Sequence, residues 1–487
     1  MDTVRYRRND YHLNKRHNEK RHSEKSKISF NAEVIEKKVH KFYLSIALFF
    51  GIILSIGMPF FNEPDGVYHF VNSSNIVHLT TDITVYGENS KWFGNQFVNQ
   101  KPAYQNGDYF KKYFETEVQR MPMNKLPRST EYPKVLSYNF LGHIVPAAGV
   151  WLGYHIYPSM GMMIVCARLL SMFVYTLILF FIIKYVRRGK LVFTIIGLSP
   201  VVMNTFSSLS YDGLTLILAA FLVAVGINMV DKGKITPFNL LPMIISSIAV
   251  YFAAKTNIKL LILIFPIIIL SIFMRGKTKN IIRRLSKRAR FTTSIVVLII
   301  VLIGGILYAR RYGGLGLVIY KLFMNFSYNF NPNINVQDIN TVLVQPLATH
   351  NMMPFWLTSV WFILILAAAF VETKFVKDPL ISYGALGLFV LNIVALYINF
   401  FTGYSSGANA INGAIGGVQG RYVTPMLFLL PLFAGNEHFE LKVISYKTVA
   451  LSSAVIIIIS NSLLIFDTLF TICLLYTSPS PRDLSTS

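Results

Sequence analysis

The sequence predicts an all-α, polytopic membrane protein: a helical bundle of about 11 spans with long loops on one side. Three observations predict it. Hydrophobic residues make up 53% of the 487 and charged residues only 14%, where soluble domains carry about 25% charged. The apolar residues arrive in blocks of roughly 17 to 25, the length a helix needs to cross about 30 Å of hydrocarbon. Basic residues gather in some connecting segments and not in others, as the positive-inside rule requires. A soluble enzyme, a disulfide scaffold, a coiled coil and a disordered chain are excluded, and so is an outer-membrane barrel, whose strands would be short and alternating.

The formal net charge is +23. Nucleic-acid binding is the usual meaning of such an excess, but its distribution points to topology. Residues 1–41 hold 12 Lys/Arg against 6 Asp/Glu, residues 275–290 hold 8 and none, and residues 62–138 hold 8 of each. Partners are therefore a lipid bilayer, with anionic-lipid contact at the basic side, and no nucleic acid. Cys166 lies in an apolar block, where an inert buried thiol is expected. The second cysteine opens a run, Cys473 to Asp483, that reads as the in-frame translation of a transposase sequencing adapter. Residues 473–487 are set aside as an artefactual tail.

Residues 1–41 are polar, basic and His-rich, and read as a disordered cytoplasmic tail. The transmembrane domain is expected over 42–472. Its spans fall at 42–61, 160–184, 191–209, 213–230, 240–254, 257–274, 292–309, 355–371, 381–400, 422–435 and 449–472. An amphipathic stretch at 140–157 reads as a re-entrant or interfacial helix. With the N-terminus cytoplasmic, Arg187, Arg188, the 275–290 cluster, Lys374 and Lys447 all fall inside. Lys255 with Lys259, and Arg310 with Arg311, fall at the outer edge instead, where charged groups are often functional. The loops 62–138, 310–354 and 402–421 face outward, and long loops on one side of a bundle commonly carry function.

Three blocks at that outer edge can carry chemistry. Asn62 to Phe70 (NEPDGVYHF) sets Glu63, Asp65 and His69 within seven residues. A carboxylate there could take a proton from a hydroxyl or hold a divalent ion; the same Asn, Pro, Asp and Gly also favour a plain turn. Tyr211 and Asp212 sit at the start of the 213–230 span, where Asp212 is either an N-cap or a pocket residue facing the cavity of Asp65. Gly416 to Tyr422 (GGVQGRY) puts Arg421 at a helix N-terminus, where free N–H groups, the dipole and a forked guanidinium favour an anion; a snorkelling Arg is the alternative. The flanking glycines would let backbone approach a ligand. Arg168, inside the second span, must face the bundle interior and a partner. His143, His155 and His350 are isolated. No Walker loop, GxSxG, HExxH or dinucleotide fingerprint occurs.

These blocks resemble those of a family of bacterial multi-span proteins, the domain of unknown function 2142 family. The matches are Pro64-Asp65…His69-Phe70, Pro200…Ser210-Tyr211-Asp212, and Gly417-Val418-Gln419-Gly420-Arg421-Tyr422, over about 42–436. One departure is that the Glu expected after the first Asp is Gly66. That family is in turn similar to membrane glycosyltransferases of the GT-C fold. The resemblance implies an inverting transfer of a sugar from a polyprenyl-phosphate donor to a glycan or lipid acceptor of the cell envelope, on the outer face of the bacterial cytoplasmic membrane. It implies Asp65, with His69 and Glu63, as catalytic; Arg421, Gln419, Tyr422 and Lys255 on the donor phosphate; and Asp212, Tyr211 and Arg168 around the substrate. A divalent cation, Mg or Mn, is compatible with the carboxylates and not required. A lipid-linked-glycan flippase or a small-solute carrier is the competing class.

Overall fold

A computed structural model describes residues 34–61, 63, 65–79, 110–118, 134–273, 292, 295, 299, 303–310, 313–327, 339–346, 353–403, 418–439 and 445–470. It is helical throughout, with two isolated β-bridges and no strand among the described residues. Among the described residues six helices are long and apolar enough to cross a membrane: α1 (Val34–Gly57), α4 (Met160–Tyr185), α7 (Asp212–Lys232), α9 (Thr256–Phe273), α12 (Pro379–Phe400, continuing to Gly403) and α14 (Tyr446–Leu469). Three shorter apolar helices stand between them: α8 (Pro237–Ala253), α11 (Phe355–Val371) and α13 (Gly420–Ala434). Further helices include α2 (Gly66–Ile76), α3 (Tyr138–Ile156), α5 (Lys190–Gly197), α6 (Pro200–Phe206) and α10 (Leu315–Ser327), and residues 303–310 are helical as well.

Helix starts follow local chemistry. Ser137, Ser159 and Ser199 take the N-cap positions of α3, α4 and α6, each accepting a backbone N–H through its hydroxyl, which satisfies a donor the first turn leaves free. Gly233 ends α7 in the left-handed region, at φ 61°, a conformation glycine adopts without a Cβ penalty. α7 is the central helix, with 83% of its apolar window buried; α4, α8 and α13 pack on it. α1, α4, α5, α6, α7, α9 and α11–α14 share one large apolar core. The outward faces of the peripheral helices carry exposed Phe, Leu and Ile, such as Phe49, Phe181, Phe273 and Ile363, as lipid-facing surfaces do.

Several expectations need correction. The stretch 191–209 is not one span but the pair α5 and α6, of 8 and 7 residues, every one of which is buried except Lys190. Pro200 breaks it: the ring has no N–H and disfavours helix at the residue before it. The carbonyl of Leu198 that the break frees accepts from Asn461 of α14 at 2.9 Å, which pairs that backbone group in an apolar setting. The tail expected to be disordered over 1–41 is helical from Val34, because Val39 faces the core while Lys37, Lys38 and Lys41 face out. The segments read as loops at 62–138 and 310–354 contain α2 and α10. The stretch 140–157, expected as a re-entrant or interfacial helix, is helical as α3. Residues 1–33, the 275–290 basic cluster and the tail 473–487 lie outside the described residues, and so does most of the 402–421 loop.

Candidate functional site

α1 ends at Gly57, and the chain turns through Phe60 and Phe61 into α2. Asp65 occupies the N-cap position of α2 in the left-handed region, φ 56° and ψ 28°, and its side chain makes no capping bond. An ordinary N-cap is extended and spends its carboxylate on the first turn; this one is turned aside and left available. The side chain is 56% exposed, and Oδ2 lies 3.7 Å from Arg421 Nη2. Gly66 is required next to it: a Cβ there would lie 2.8 Å from the Phe61 Cα and 3.1 Å from Glu63 Cγ. A glutamate at that position would not fit this turn.

Asp212 is the first residue of α7, with Tyr211 in the N-cap position. Its carboxylate does not cap the helix. Oδ2 accepts from Arg421 Nε at 3.0 Å and Oδ1 pairs with Lys255 Nζ at 2.9 Å. Lys255, in the turn between α8 and α9, also lies 3.7 Å from the centroid of the Tyr422 ring and 4.5 Å from that of Tyr211, so two aromatic faces enclose the ammonium. Burial pushes the Lys255 ammonium down to about 8, with Asp212 opposing the drop and the Arg421 charge adding to it. Arg421, in the 3₁₀ turn opening α13, is buried and reaches the Tyr422 hydroxyl at 3.4 Å. Two carboxylates and two cations thus meet at one end of the bundle.

The Arg421 turn is held from behind. Gly420 N–H donates to Thr341 Oγ1 at 2.7 Å, and the Thr424 hydroxyl donates to the Val342 carbonyl. A Cβ on Gly420 would stand 2.3 Å from Thr341 Oγ1. This glycine brings backbone against the Ile339–Val342 turn rather than against a ligand; Gly416 and Gly417 lie outside the described residues. The same segment bonds α6, through Val201 N–H to the Leu343 carbonyl.

His69 and His143 form a buried pair, Nδ1 to Nε2 at 2.8 Å, with Tyr211 edge-on to both rings. His143, read as isolated, is therefore a neighbour of the site. Its Nδ1 meets the Asn139 carbonyl. A carbonyl only accepts, so His143 carries its proton on Nδ1; its bare Nε2 then accepts a hydrogen bond from His69 Nδ1–H, and His69 Nε2 is left as a lone pair. Burial, followed by the neighbouring His143, holds His69 well below its ordinary value, and burial brings His143 down to about 4, so both stay neutral at pH 7.

Glu63 and Arg168 go elsewhere. They form a sealed ion pair, with side chains 1% and 0% exposed, and Arg168 also donates to the carbonyls of Met58 and Pro59. Arg168 has the interior partner expected of it, but neither residue lines the cleft. That cleft is bounded by Asp212, Lys255, Asn257, Arg421, Tyr422 and Thr424 among others. It has room for about one water. Asn257 Nδ2, Gln419 Oε1 and His69 Nε2 are among the buried polar atoms at this end that make no hydrogen bond. Asn257, Thr341 and His143 had no distinguishing signal in the sequence, since each is a common residue whose role comes from its neighbours. Lys259 lies over Tyr251 instead. Among the described residues no three His, Cys, Asp or Glu side chains converge to hold a metal ion.

A multi-helix membrane bundle with a charged, partly unsatisfied cleft at one end is the class this architecture defines. The family described as Predicted membrane protein (DUF2142) matches residues 48–430, and the chain belongs to it. No curated protein and no solved structure matches.

Proposed function

We propose that the chain is a GT-C-like, eleven-span glycosyltransferase of the bacterial cytoplasmic membrane, moving a sugar from a polyprenyl-phosphate donor to an envelope glycan or lipid acceptor on the outer face. One observation carries the reading: an accessible carboxylate, Asp65, stands 3.7 Å from a buried guanidinium, Arg421, beside the unpaired amide donor of Asn257. Phosphate oxygens would be bound by Arg421, Lys255 and Asn257, with Tyr422 and Gln419 against the same turn. Asp212 has both oxygens committed to cations, so it positions rather than reacts.

In the reaction the acceptor hydroxyl gives its proton to Asp65 and its oxygen attacks the anomeric carbon. The bond to the donor phosphate breaks, and its electron pair leaves on the phosphate oxygen. One negative charge moves from Asp65 to that oxygen, while Arg421, within reach of both, sees no net change. Such pre-set charge stabilisation lowers barriers because nothing reorganises during the step. His69 would accept from a substrate hydroxyl through its bare Nε2, and Tyr211 would wall the sugar. Donor entry requires the α2 and α13 turns to part, since the closed cleft holds about one water. Asp212 and Lys255 need no divalent cation to balance their charge, and no step is routed through one.

The test is transfer of radiolabelled sugar from membrane polyprenyl phosphate in vesicles. Wild type should label acceptor, while Asp65→Asn and Arg421→Ala should fall at least about a hundredfold, the usual range for losing general-base or charge stabilisation. Undiminished transfer by both variants removes the mechanism. Vesicles that move lipid-linked glycan across the bilayer without transferring it would favour the flippase.

A further inference from the structure

The opposite end of the bundle holds a second site that the proposed chemistry does not use. α1 at Val34–Phe42, α5 at Leu191–Ile195 and α14 at Ala450–Ile457 flank an apolar groove of about 300 Å³, large enough for a good part of a lipid chain. Val39, Phe42, Ile195 and Ile457 line it. Two of its lining side chains are polar and unsatisfied: Thr194 and Ser453 are 1% and 2% exposed, and neither hydroxyl makes a hydrogen bond. A buried hydroxyl without a partner costs about 1–3 kcal/mol, which points to an acceptor missing from the protein itself. Thr194 and Ser453 lie about 6 and 10 Å along their helices from the first residue, at 1.5 Å per residue. Lys38 lines the groove, and Lys41, Lys190 and Lys447 stand within three residues along the chain of the lining residues Phe42, Leu191 and Ala450; no carboxylate pairs with these four among the described residues. Among the acids described at this end, Glu36 stands on α1, Asp231 is paired with Arg187 and Arg188 and Asp378 accepts from the Ser271 hydroxyl; burial pushes Glu372 up to about 8, so it adds little opposing charge at neutral pH.

We propose that this groove binds an anionic, ester-linked phospholipid. One acyl chain fills the groove, the Thr194 and Ser453 hydroxyls donate to ester carbonyls, and the phosphate is held by Lys38, Lys190 and Lys447. The three contacts follow the order of the lipid itself: charged headgroup, ester belt, hydrocarbon.

The test uses the purified full chain in nanodiscs and counts retained lipids by native mass spectrometry after exchange. Phosphatidylglycerol should be retained over phosphatidylcholine. Lys38→Gln and Lys447→Gln should each lower that preference about fivefold, the effect of one lysine near an anionic surface. Ala454→Trp, which fills the groove, should abolish retention while leaving a monodisperse helical protein. Thr194→Val with Ser453→Ala keeps the packing and isolates the hydroxyls: wild type should favour the ester lipid over its ether analogue, and this variant should not. Equal retention of the two headgroups, or phosphatidylglycerol retained undiminished by Ala454→Trp, overturns the proposal. So does photolabelling by an acyl-diazirine phosphatidylglycerol that misses α1, α5 and α14, which would mean that residues 1–33 or another segment fills the groove.

Discussion

Asp65 and Asp212 are the same residue type at the same end of the bundle, and their surroundings separate them. Asp212 is clamped between two cations, and Asp65 is half-exposed with one distant partner. The accessible one is suited to chemistry and the clamped one to fixing Arg421. Lys255 gives the site a pH dependence. Its value lies near 8, so the ammonium is intact at pH 7 and lost as pH rises beyond 8. Binding an anion then requires taking up a proton. Affinity for a polyprenyl phosphate should therefore fall between pH 7.5 and 9.5, by at most about tenfold per unit, whereas Lys255→Arg should hold it level. A flat wild-type profile by equilibrium binding would place Lys255 outside the phosphate contact. The histidine pair makes a spectroscopic prediction. In selectively ¹⁵N-labelled protein at pH 7, His69 and His143 should both show a protonated Nδ1 and a bare Nε2, and His143→Gln should release His69 from that state.

Between elements, the site depends on close backbone approaches and one sealed ion pair. Gly149 and Gly153 of α3 have no room for a Cβ against Ala167 and Met162 of α4, and this small-residue contact lets the two helices touch. α3 in turn carries His143, and α4 carries Arg168. The Glu63–Arg168 pair ties the turn before Asp65 to α4, so it sets where the reactive carboxylate sits without touching the cleft. Removing one partner leaves a buried charge uncompensated. Arg168→Met should cost about 3–5 kcal/mol, seen as a lower temperature for loss of monodisperse protein. Combining it with Glu63→Gln should recover most of that loss; no recovery would mean that the pair acts through packing alone.

For the whole molecule, α1 is about 36 Å long at 1.5 Å per residue, enough to set the carboxylate–guanidinium cleft and the lysine-rimmed groove at opposite membrane faces. A membrane-impermeant thiol reagent should label Tyr68→Cys, beside Asp65, in intact cells, and Lys41→Cys only after permeabilisation. The reverse pattern would invert the topology and put the cleft on the side where nucleotide-sugar donors, not lipid-linked ones, are available.

Much of the frame was legible in the chain because a bilayer demands apolar length: among the described residues six helices long and apolar enough to cross a membrane stand where spans were expected, whereas the Pro200 stretch was misjudged, since its hydrophobicity is continuous while its backbone is not. Asp65, Asp212 and Arg421 could be singled out because charge at an apolar edge is costly and therefore conspicuous. What no stretch of sequence carries is distance. Whether Glu63 faces Asp65 or Arg168, whether His143 stands alone, and whether Thr341 props Arg421 depend on how helices far apart in the chain pack, which is set by close approaches such as those of the bare backbone at Gly149 and Gly420 against their neighbours rather than by any local preference.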